Sequence, residues 1–345
     1  MKAALIALKT DTSSLSTVTH DPKTAFIDKA AITNTPMEDH RLRIAEVADP
    51  VAGPGNLLVR VESISIEGGD LMYRRFGLGG TNGVLGYAAA GEIISVGDKV
   101  QDFTVGQKVA TFAADGSHAT LRVAPADTCF LIPEGLDVSI AAAIPVAAGT
   151  AGRALELAYV GSGDTVMVTG ATGGLGIAAV QLAASRGARV IALGSNPDNL
   201  EKTREYGATD VIVSKDVPAS EQVRRLLGGN NVNVLIDTIG GALMGDVIDT
   251  MADHGRVVLL GGYGGLQQPI DAGQLLLRQL TITGCLFGGE MGAPHNRAMI
   301  SELLLAASKG DYRVPVDETF PFEKIDAAHA RAEERGRFGR VIVTV

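Results

Sequence analysis

The segment that most constrains the fold is a strand that ends in a glycine turn and continues as a helix. Residues 168–176 read Val-Thr-Gly-Ala-Thr-Gly-Gly-Leu-Gly, and an apolar helical stretch follows them. Backbone amides at the start of such a helix bind a diphosphate, helped by the helix dipole. A tight turn without a ligand is the alternative. The predicted diphosphate contacts are Ala171, Thr172, Gly173, Gly174, Leu175 and Gly176.

Strands and helices alternate beyond this turn, which predicts a parallel sheet with helices on both faces. Before residue 133, short apolar runs such as 57–61 and 90–97 lie between Gly, Pro and Asp residues, which predicts a small β-barrel. The closing run 341–345 is predicted to return to that first domain. Predicted strands are 165–169, 189–193, 211–213, 232–237 and 256–260, and predicted helices are 138–157, 177–185, 197–206, 221–227 and 245–251.

Composition limits the classes of protein to which the chain can belong. Its 345 residues suit two domains, and a net charge of -9 argues against nucleic acid as the main partner. The two cysteines, Cys129 and Cys285, exclude a disulfide framework and a cysteine-rich zinc site. Two buried thiols are expected, with a single disulfide as the alternative. No apolar run reaches about 18 residues and the start lacks signal-peptide features, so we expect no membrane span and a cytoplasmic location. Residues 10–40 are expected to form a surface excursion, an active-site flap or an oligomer contact.

The loop after the second predicted strand bears on the choice of cofactor. An acidic residue about 20 residues after the glycine turn binds the ribose of NAD. Here Ser195 and Asn196 stand at that place, and they leave room for a 2′-phosphate. This favours NADPH. A loop without selectivity, or Asp198 turning in to bind NADH, are the alternatives.

Several further segments match one family in order and spacing. With the glycine turn, they make the chain resemble the medium-chain dehydrogenase/reductase superfamily. The resemblance implies an α/β fold with a GroES-like β-barrel catalytic domain (1–126 and 287–345) and a Rossmann domain with a doubly wound parallel sheet (127–286), with the cofactor between them. The matching segments are 51–61, 85–93, 102–109, 149–151 and 339–343.

The zinc ligands of that superfamily are replaced here. Its zinc-dependent branch has a cysteine where Glu67 stands and His-Glu where Tyr87-Ala88 stand, and it carries a lobe of four cysteines. Catalytic zinc needs about three protein ligands. The sequence therefore predicts no metal and resembles the zinc-free quinone oxidoreductases and enone reductases. The histidines show no paired ligand spacing and are expected at the surface: His20, His40, His118, His254, His295 and His329.

The resemblance also implies further cofactor contacts. Thr150 is expected to begin or cap a helix under the diphosphate, and Asn199 stands where the family often has a lysine that holds the 2′-phosphate. Gly261, Gly262 and Tyr263 are expected along the nicotinamide ribose, with ordinary glycine turns as the alternative. Leu286 and Phe287 are expected near the nicotinamide ring. Cys285 is expected to be structural, in a buried strand.

Two groups are predicted to act in catalysis. Tyr73, one residue from a family tyrosine position, would donate a hydrogen bond or proton to the substrate oxygen. Glu67, where the family tends to have asparagine, would relay a proton or hold the substrate, although a structural ion pair with Arg74 or Arg75 is favoured. Asp70 is expected to cap the following helix, and Tyr87 to line the substrate pocket or merely fill it.

These features predict an NADPH-dependent, zinc-independent oxidoreductase that transfers hydride to a quinone or an activated C=C bond of an enone or enal. One alternative is a dehydrogenase of an alcohol or acyl thioester. Another is a nucleotide-binding protein with little turnover, used as a sensor or structural protein. A homodimer formed through residues 275–286 is expected.

Overall fold

The fold contains two large β-sheets, one largely antiparallel and the other parallel. The computed structural model describes residues 1–6, 41–75, 83–229, 231–265 and 270–345. The predicted fold class is confirmed, since a largely antiparallel sheet domain stands beside a parallel Rossmann-type domain. The excursion predicted over residues 10–40 lies outside the described residues.

The first sheet has seven strands and contains the closing strand of the chain. Along its central strand, Leu57, Val59 and Val61 are buried whereas Arg60 is exposed, the period of two that gives a strand one core face. The last strand pairs with this central strand, which confirms that the chain returns to its first domain. The order is β14 (Val316–Pro321), β15 (Arg340–Thr344), β3 (Asn56–Ser65), β4 (Ala88–Val96), β5 (Lys108–Phe112) and β7 (Cys129–Leu131), with β6 (Leu121–Pro125) also pairing with β3.

Smaller elements complete this domain. A two-stranded sheet consists of β1 (Lys2–Ile6) and β2 (Leu42–Glu46). Helix α1 (Gly68–Arg75) follows β3, and α10 (Ile325–Glu333) packs on β14 and β15. A core of apolar side chains lies between α10 and β15 and includes Ile325, Ala328 and Val343.

The second sheet has six parallel strands, and its order reverses beside the strand that precedes the glycine turn. Such a reversal opens a crevice at the carboxyl ends of the strands, where ligands of doubly wound sheets bind. Val166 to Thr169 are all buried, because helices cover both faces. The order is β10 (Asp210–Val213), β9 (Arg189–Gly194), β8 (Thr165–Thr169), β11 (Val232–Asp237), β12 (Met251–Leu259) and β13 (Thr281–Gly284).

The helices of this domain agree with the predicted alternation, with one displaced element. The helix predicted over 245–251 instead spans residues 241–247, because Met251 is extended and begins β12. Cys285 follows β13 and is half-buried, so its predicted place within a buried strand is wrong. The helices are α2 (Val138–Ala142), α3 (Gly149–Leu157), α4 (Gly174–Ser185), α5 (Pro197–Lys202), α6 (Ala219–Leu227), α7 (Gly241–Val247) and α8 (Ala272–Arg278), and α9 (Pro294–Lys309) follows them.

Strand β13 forms one edge of the parallel sheet. In the neighbouring α8, the side chains of Leu276 and Leu277 are 77% and 81% exposed. The dimer contact over residues 275–286 and the exact domain limits stay predictions. Within the described ranges, no helix combines the length and apolarity needed to cross a bilayer.

Candidate cofactor and substrate cleft

The glycine turn presents free backbone amides at the end of β8. Gly173 is the N-cap of α4 and no side chain caps the helix, so the first amides of α4 have neither an intrahelical nor a capping partner. A Cβ on Gly176 would overlap the carbonyl oxygen of Gly170, so only glycine lets helix and strand approach this closely. A Cβ on Gly173 would meet only that same oxygen, at 3.5 Å. The turn therefore has the open amide cradle that a diphosphate requires.

The loop after β9 is tied to a second segment near the end of the chain. The Asn196 side chain caps α5 by accepting the Asn199 amide at 3.1 Å. Asn199 Nδ2 donates to the carbonyl oxygen of Gly336 at 2.7 Å, and Lys202 Nζ donates to Asn199 Oδ1 at 2.8 Å. Asn199, predicted at the 2′-phosphate, thus connects the loop to residues 336–340. Ser195 and Asp198 are exposed beside it.

Two more loops meet at the carboxyl ends of β11 and β12. Buried Asp237 accepts hydrogen bonds from the Thr169 hydroxyl at 2.6 Å and from the Gly240 amide at 3.1 Å. A Cβ on Gly261 would overlap the carbonyl oxygen of Thr238. The predicted loop of Gly261, Gly262 and Tyr263 is therefore packed directly against the loop that leaves β11. Asp237, which the sequence did not single out, connects the end of β8 to the loop after β11 at the switch point, where the strand order of the sheet reverses.

Three other predicted cofactor residues differ in their surroundings. Phe287 is 2% exposed and its ring packs on Gly149, whereas Leu286 is 51% exposed. Thr150 is the second residue of α3 and makes no cap, because a π-helical turn over residues 144–148 runs directly into that helix. Of the two expectations for Thr150, the capping role is wrong, whereas the helix begins at Gly149, one residue before the predicted start.

Glu67 is paired with an arginine from the opposite end of the sequence. Its carboxylate forms an ion pair with Arg340, and it accepts a hydrogen bond from the Ser65 hydroxyl at 3.0 Å. The prediction that Glu67 pairs with Arg74 or Arg75 is wrong, because both of those arginines contact Glu333 on α10. Burial raises the pKa of Glu67, although the Arg340 charge opposes the shift.

Arg340 connects this ion pair to the glycine turn. It donates to Ser65 Oγ at 2.7 Å and to the carbonyl oxygen of Ile66 at 2.6 Å. A Cβ on Gly174 would overlap the Arg340 side chain. The Gly339 amide donates to the carbonyl oxygen of Thr172 at 2.8 Å. The two domains therefore meet at the start of α4.

Asp70 stabilises the start of α1 and positions the next segment of the cleft. Its carboxylate accepts the Glu67 amide at 2.8 Å and the Tyr87 amide at 3.0 Å. The helix begins at Gly68, so Asp70 caps it from within the first turn, as a capping-box residue does. Burial raises the pKa of Asp70 to about 7.

Aromatic rings form a wall beside Asp70. The Tyr73 and Tyr87 rings meet edge to face with centroids 5.5 Å apart, and Phe112 lies 6.0 Å from Tyr87. A Cβ on Gly69 would overlap the Tyr87 ring, so this glycine admits the tyrosine. Burial raises the pKa of both phenols, so both remain protonated hydrogen-bond donors at neutral pH.

Comparison with known proteins now decides the family. The model of the alcohol dehydrogenase GroES-like domain matches residues 53–134, and that of the zinc-binding dehydrogenases matches residues 174–305. A quinone oxidoreductase of Pseudomonas aeruginosa is 27% identical over 297 residues, covering 84% of this chain and 91% of that protein. A quinone oxidoreductase of Sus scrofa is 26% identical over 306 residues, covering 87% and 92%.

This chain belongs to the medium-chain dehydrogenase/reductase superfamily. Within it, the similarity lies with the quinone oxidoreductase-like branch, as the sequence predicts. The mycobacterial protein Rv1454c, solved in complex with NADPH, superposes with a TM-score of 0.81 at 26% identity over 88% of this chain and 96% of that one. A quinone oxidoreductase of Pseudomonas syringae gives 0.81 at 25% identity over 88% and 95%.

As a member of this superfamily, the chain is an oxidoreductase. The Glu67 carboxylate is engaged by Arg340 and Ser65, and Tyr87 presents a phenol. In the part of the chain that the structure describes, no three His, Cys, Asp or Glu side chains come close enough to hold a metal ion. Burial raises the pKa of the Cys285 thiol to about 11, so it is not a thiolate at neutral pH.

Two histidines of this medium-chain oxidoreductase form a buried pair. His118 and His329 are 0% exposed, and their Nε2 atoms lie 2.8 Å apart. His118 Nδ1 lies 3.0 Å from Ser117 Oγ. The expectation that every histidine lies at the surface is wrong for this pair, although His254 and His295 are exposed. His20 and His40 lie outside the described residues.

Proposed function

We propose that this protein is an NADPH-dependent, zinc-independent oxidoreductase that transfers hydride to a quinone or to the activated C=C bond of an enone or enal. The observation that carries the proposal is the uncapped start of α4 at the switch point, connected through Arg340 and Glu67 to a wall of tyrosines. A diphosphate on the amides of Gly174 and Leu175 would anchor a dinucleotide whose other end reaches that wall.

The loop beyond β9 supports the 2′-phosphorylated cofactor. Exposed Ser195 offers a hydroxyl and, unlike an acidic residue at that position, carries no negative charge itself. Lys202 supplies a cation that is already hydrogen-bonded to Asn199 at the same loop. A phosphate monoester is stabilised by this combination of donors and positive charge.

The chain's own residues would bind the substrate and stabilise its oxygen. When bound, the reduced nicotinamide supplies the hydride. Negative charge then develops on the substrate oxygen, and a protonated phenol of Tyr73 or Tyr87 can donate a hydrogen bond to it. The rings of Tyr87 and Phe112 offer an apolar surface that suits a planar acceptor. Because the Glu67 carboxylate is paired with Arg340, its role is to position the segments of the cleft rather than to relay a proton.

The experiment that tests this proposal measures cofactor binding and turnover separately. We expect fluorescence titration to show tighter binding of NADPH than of NADH, and NADPH oxidation with 1,2-naphthoquinone, 9,10-phenanthrenequinone or a simple enone. Ser195→Asp should weaken NADPH binding at least about tenfold, because a carboxylate would face the 2′-phosphate. Ser185→Asp on α4, outside this loop, serves as the control.

The two measurements separate the proposal from its rival. Tight NADPH binding without oxidation of any acceptor would favour a nucleotide-binding protein with little turnover. Failure to bind either reduced nicotinamide coenzyme would refute both.

We expect Tyr73→Phe to lower kcat for the best acceptor by about 100-fold, because it removes a proton donor from a buried aromatic wall. The Kd for NADPH should stay within about threefold of wild type, since the hydroxyl contributes to the transition state and not to cofactor binding. Steady-state kinetics and NADPH titration check both values. Tyr159→Phe, at a side chain that is 84% exposed, is the matched control. An unchanged kcat in Tyr73→Phe would remove Tyr73 from the catalytic assignment.

A further inference from the structure

Residues 336–340 run along the line where a dinucleotide would lie. At one end, Gly336 packs against Asn196 of the loop after β9. At the other, Gly339 is bonded to Thr172 of the glycine turn. Between them, the Phe338 ring packs on Tyr206 with centroids 5.6 Å apart. Arg337 lies in the middle of this segment.

Arg337 is a largely buried cation without a carboxylate of its own. Its Nε atom is buried and has no hydrogen-bond partner among the described residues, and its guanidinium forms no ion pair with them. Burial lowers the pKa of Arg337, and the nearby Arg340 charge adds to the shift. Burying a cation in this way costs free energy that a bound anion would offset.

Asp317 and Glu67, the two carboxylates whose charges act on Arg337, are already engaged. Asp317 accepts two hydrogen bonds from Arg331, at 2.7 and 3.0 Å, and a third from the Phe338 amide at 3.2 Å. Glu67 forms its ion pair with Arg340. Neither carboxylate has its charge available for Arg337 alone.

Tyr263 adds a second unpartnered polar atom beside Arg337. Its hydroxyl oxygen is buried and, within the described ranges, makes no hydrogen bond. The Arg75 guanidinium lies over its ring, 4.9 Å from the centroid. The charge of Glu333 and the opposing charges of Arg75, Arg337 and Arg74 all act on its phenol. Arg75 in turn contacts Glu333 at 3.4 Å, which holds it in place on the ring.

We propose that Arg337 and the Tyr263 hydroxyl form an oxyanion-binding site in the cleft. The group it takes is a phosphoryl, sulfonyl or carboxyl oxyanion, which accepts from a guanidinium and a phenol together. Two sources carry this chemistry in the proposed reaction: the diphosphate of the cofactor, or an acidic substituent on the acceptor. The assignment of the source rests on the proposed function, whereas the anion site itself does not.

The first experiment uses inorganic pyrophosphate as the probe and needs no turnover. Wild type should bind pyrophosphate in calorimetry, and Arg337→Gln should weaken that binding about ten- to hundredfold. Tyr263→Phe removes one hydroxyl, keeps the ring under Arg75, and should weaken binding severalfold. Arg337→Lys should restore part of the affinity. Arg225→Gln on α6, whose side chain is 77% exposed, makes the same charge change far from the cleft.

The second experiment assigns the source of the oxyanion. A rise in the NADPH Kd of Arg337→Gln, with unchanged preference between 1,2-naphthoquinone and its 4-sulfonate, supports the cofactor diphosphate. A fall in kcat/KM for the sulfonate relative to the parent quinone, with unchanged NADPH Kd, supports an acidic acceptor. The site is refuted if Arg337→Gln and Tyr263→Phe bind pyrophosphate as wild type does and neither the NADPH Kd nor the relative kcat/KM for the two acceptors changes. Failure of NADPH oxidation in wild type would refute the proposed function. The pyrophosphate measurement would then still decide whether the oxyanion-binding site exists.

Discussion

The free energy of unfolding should fall steeply as pH drops below about 6.5, because His118 and His329 are buried as neutral rings. Burial lowers the pKa of His118 to about 3 and lowers that of His329 well below its usual value. The Arg122 charge further disfavours protonation of His118, and a proton on His118 and the Arg74 charge further disfavour protonation of His329. The unfolded chain binds protons below about 6.5 that the folded protein does not, so stability is lost from there downwards. Each histidine contributes about 1.4 kcal/mol per pH unit well below that value.

Comparing variants separates the contribution of the histidines to stability from that of groups whose titration has the opposite effect. The pKa of Asp70 is raised to about 7, so the folded protein takes up that proton as pH falls, which is stabilising. Between pH 7.5 and pH 5.0, we expect the free energy of unfolding of His329→Phe to fall by roughly 2 kcal/mol less than that of wild type. Urea unfolding followed by circular dichroism measures this. His295→Gln, at an exposed histidine, should keep the wild-type dependence. Equal pH dependence in wild type and His329→Phe would show that the pair titrates normally.

The second large effect is expected for Gly173→Ala, which should lose NADPH affinity while keeping its fold. The added methyl group would meet only the Gly170 oxygen at 3.5 Å, an ordinary contact, and Gly173 has a φ of -77° that alanine adopts freely. The methyl group would instead occupy space above the free amides of α4, where a diphosphate must approach. We expect the Kd for NADPH to rise at least about tenfold, with a Tm within about 2 °C of wild type.

Two further glycine variants make this result interpretable. Gly176→Ala would press against the Gly170 carbonyl, so it should lower both Tm and affinity. Gly161→Ala, which has open space around its Cβ and lies before β8, should change neither. Differential scanning fluorimetry and NADPH titration give both quantities. If Gly173→Ala bound NADPH as wild type does, the diphosphate would not lie on this turn.

The sequence was sufficient for the parts of the fold that local patterns determine. The strand over 165–169, the glycine turn and the alternation after it follow from periodicity and from residues 168–176, and the structure has them at or near the predicted bounds. The displaced helix before Met251 shows the limit, because Gly240 and Gly241 both adopt positive φ and start that helix earlier than its apolar pattern suggests.

The pairings across the cleft were beyond the sequence because they join distant segments. His118 and His329 are 211 residues apart, and no spacing rule relates them. The sequence predicts that Glu67 pairs with Arg74 or Arg75 at the pocket edge, yet both arginines contact Glu333 on α10. Arg340 lies in the family-matching segment 339–343 and is identifiable there as a cation from the sequence alone. Its partner depends on the pairing of β15 with β3.

The hydrogen bonds from Gly339 to Thr172 and from Asn199 to Gly336 have a consequence for biosynthesis. A nascent chain that has been translated only as far as residue 335 already contains every strand of the parallel sheet. It still lacks the backbone that borders the glycine turn and the loop after β9. Because domains fold as they emerge from the ribosome, the parallel sheet would form first and the nucleotide cleft would be completed only when residues 336–340 dock.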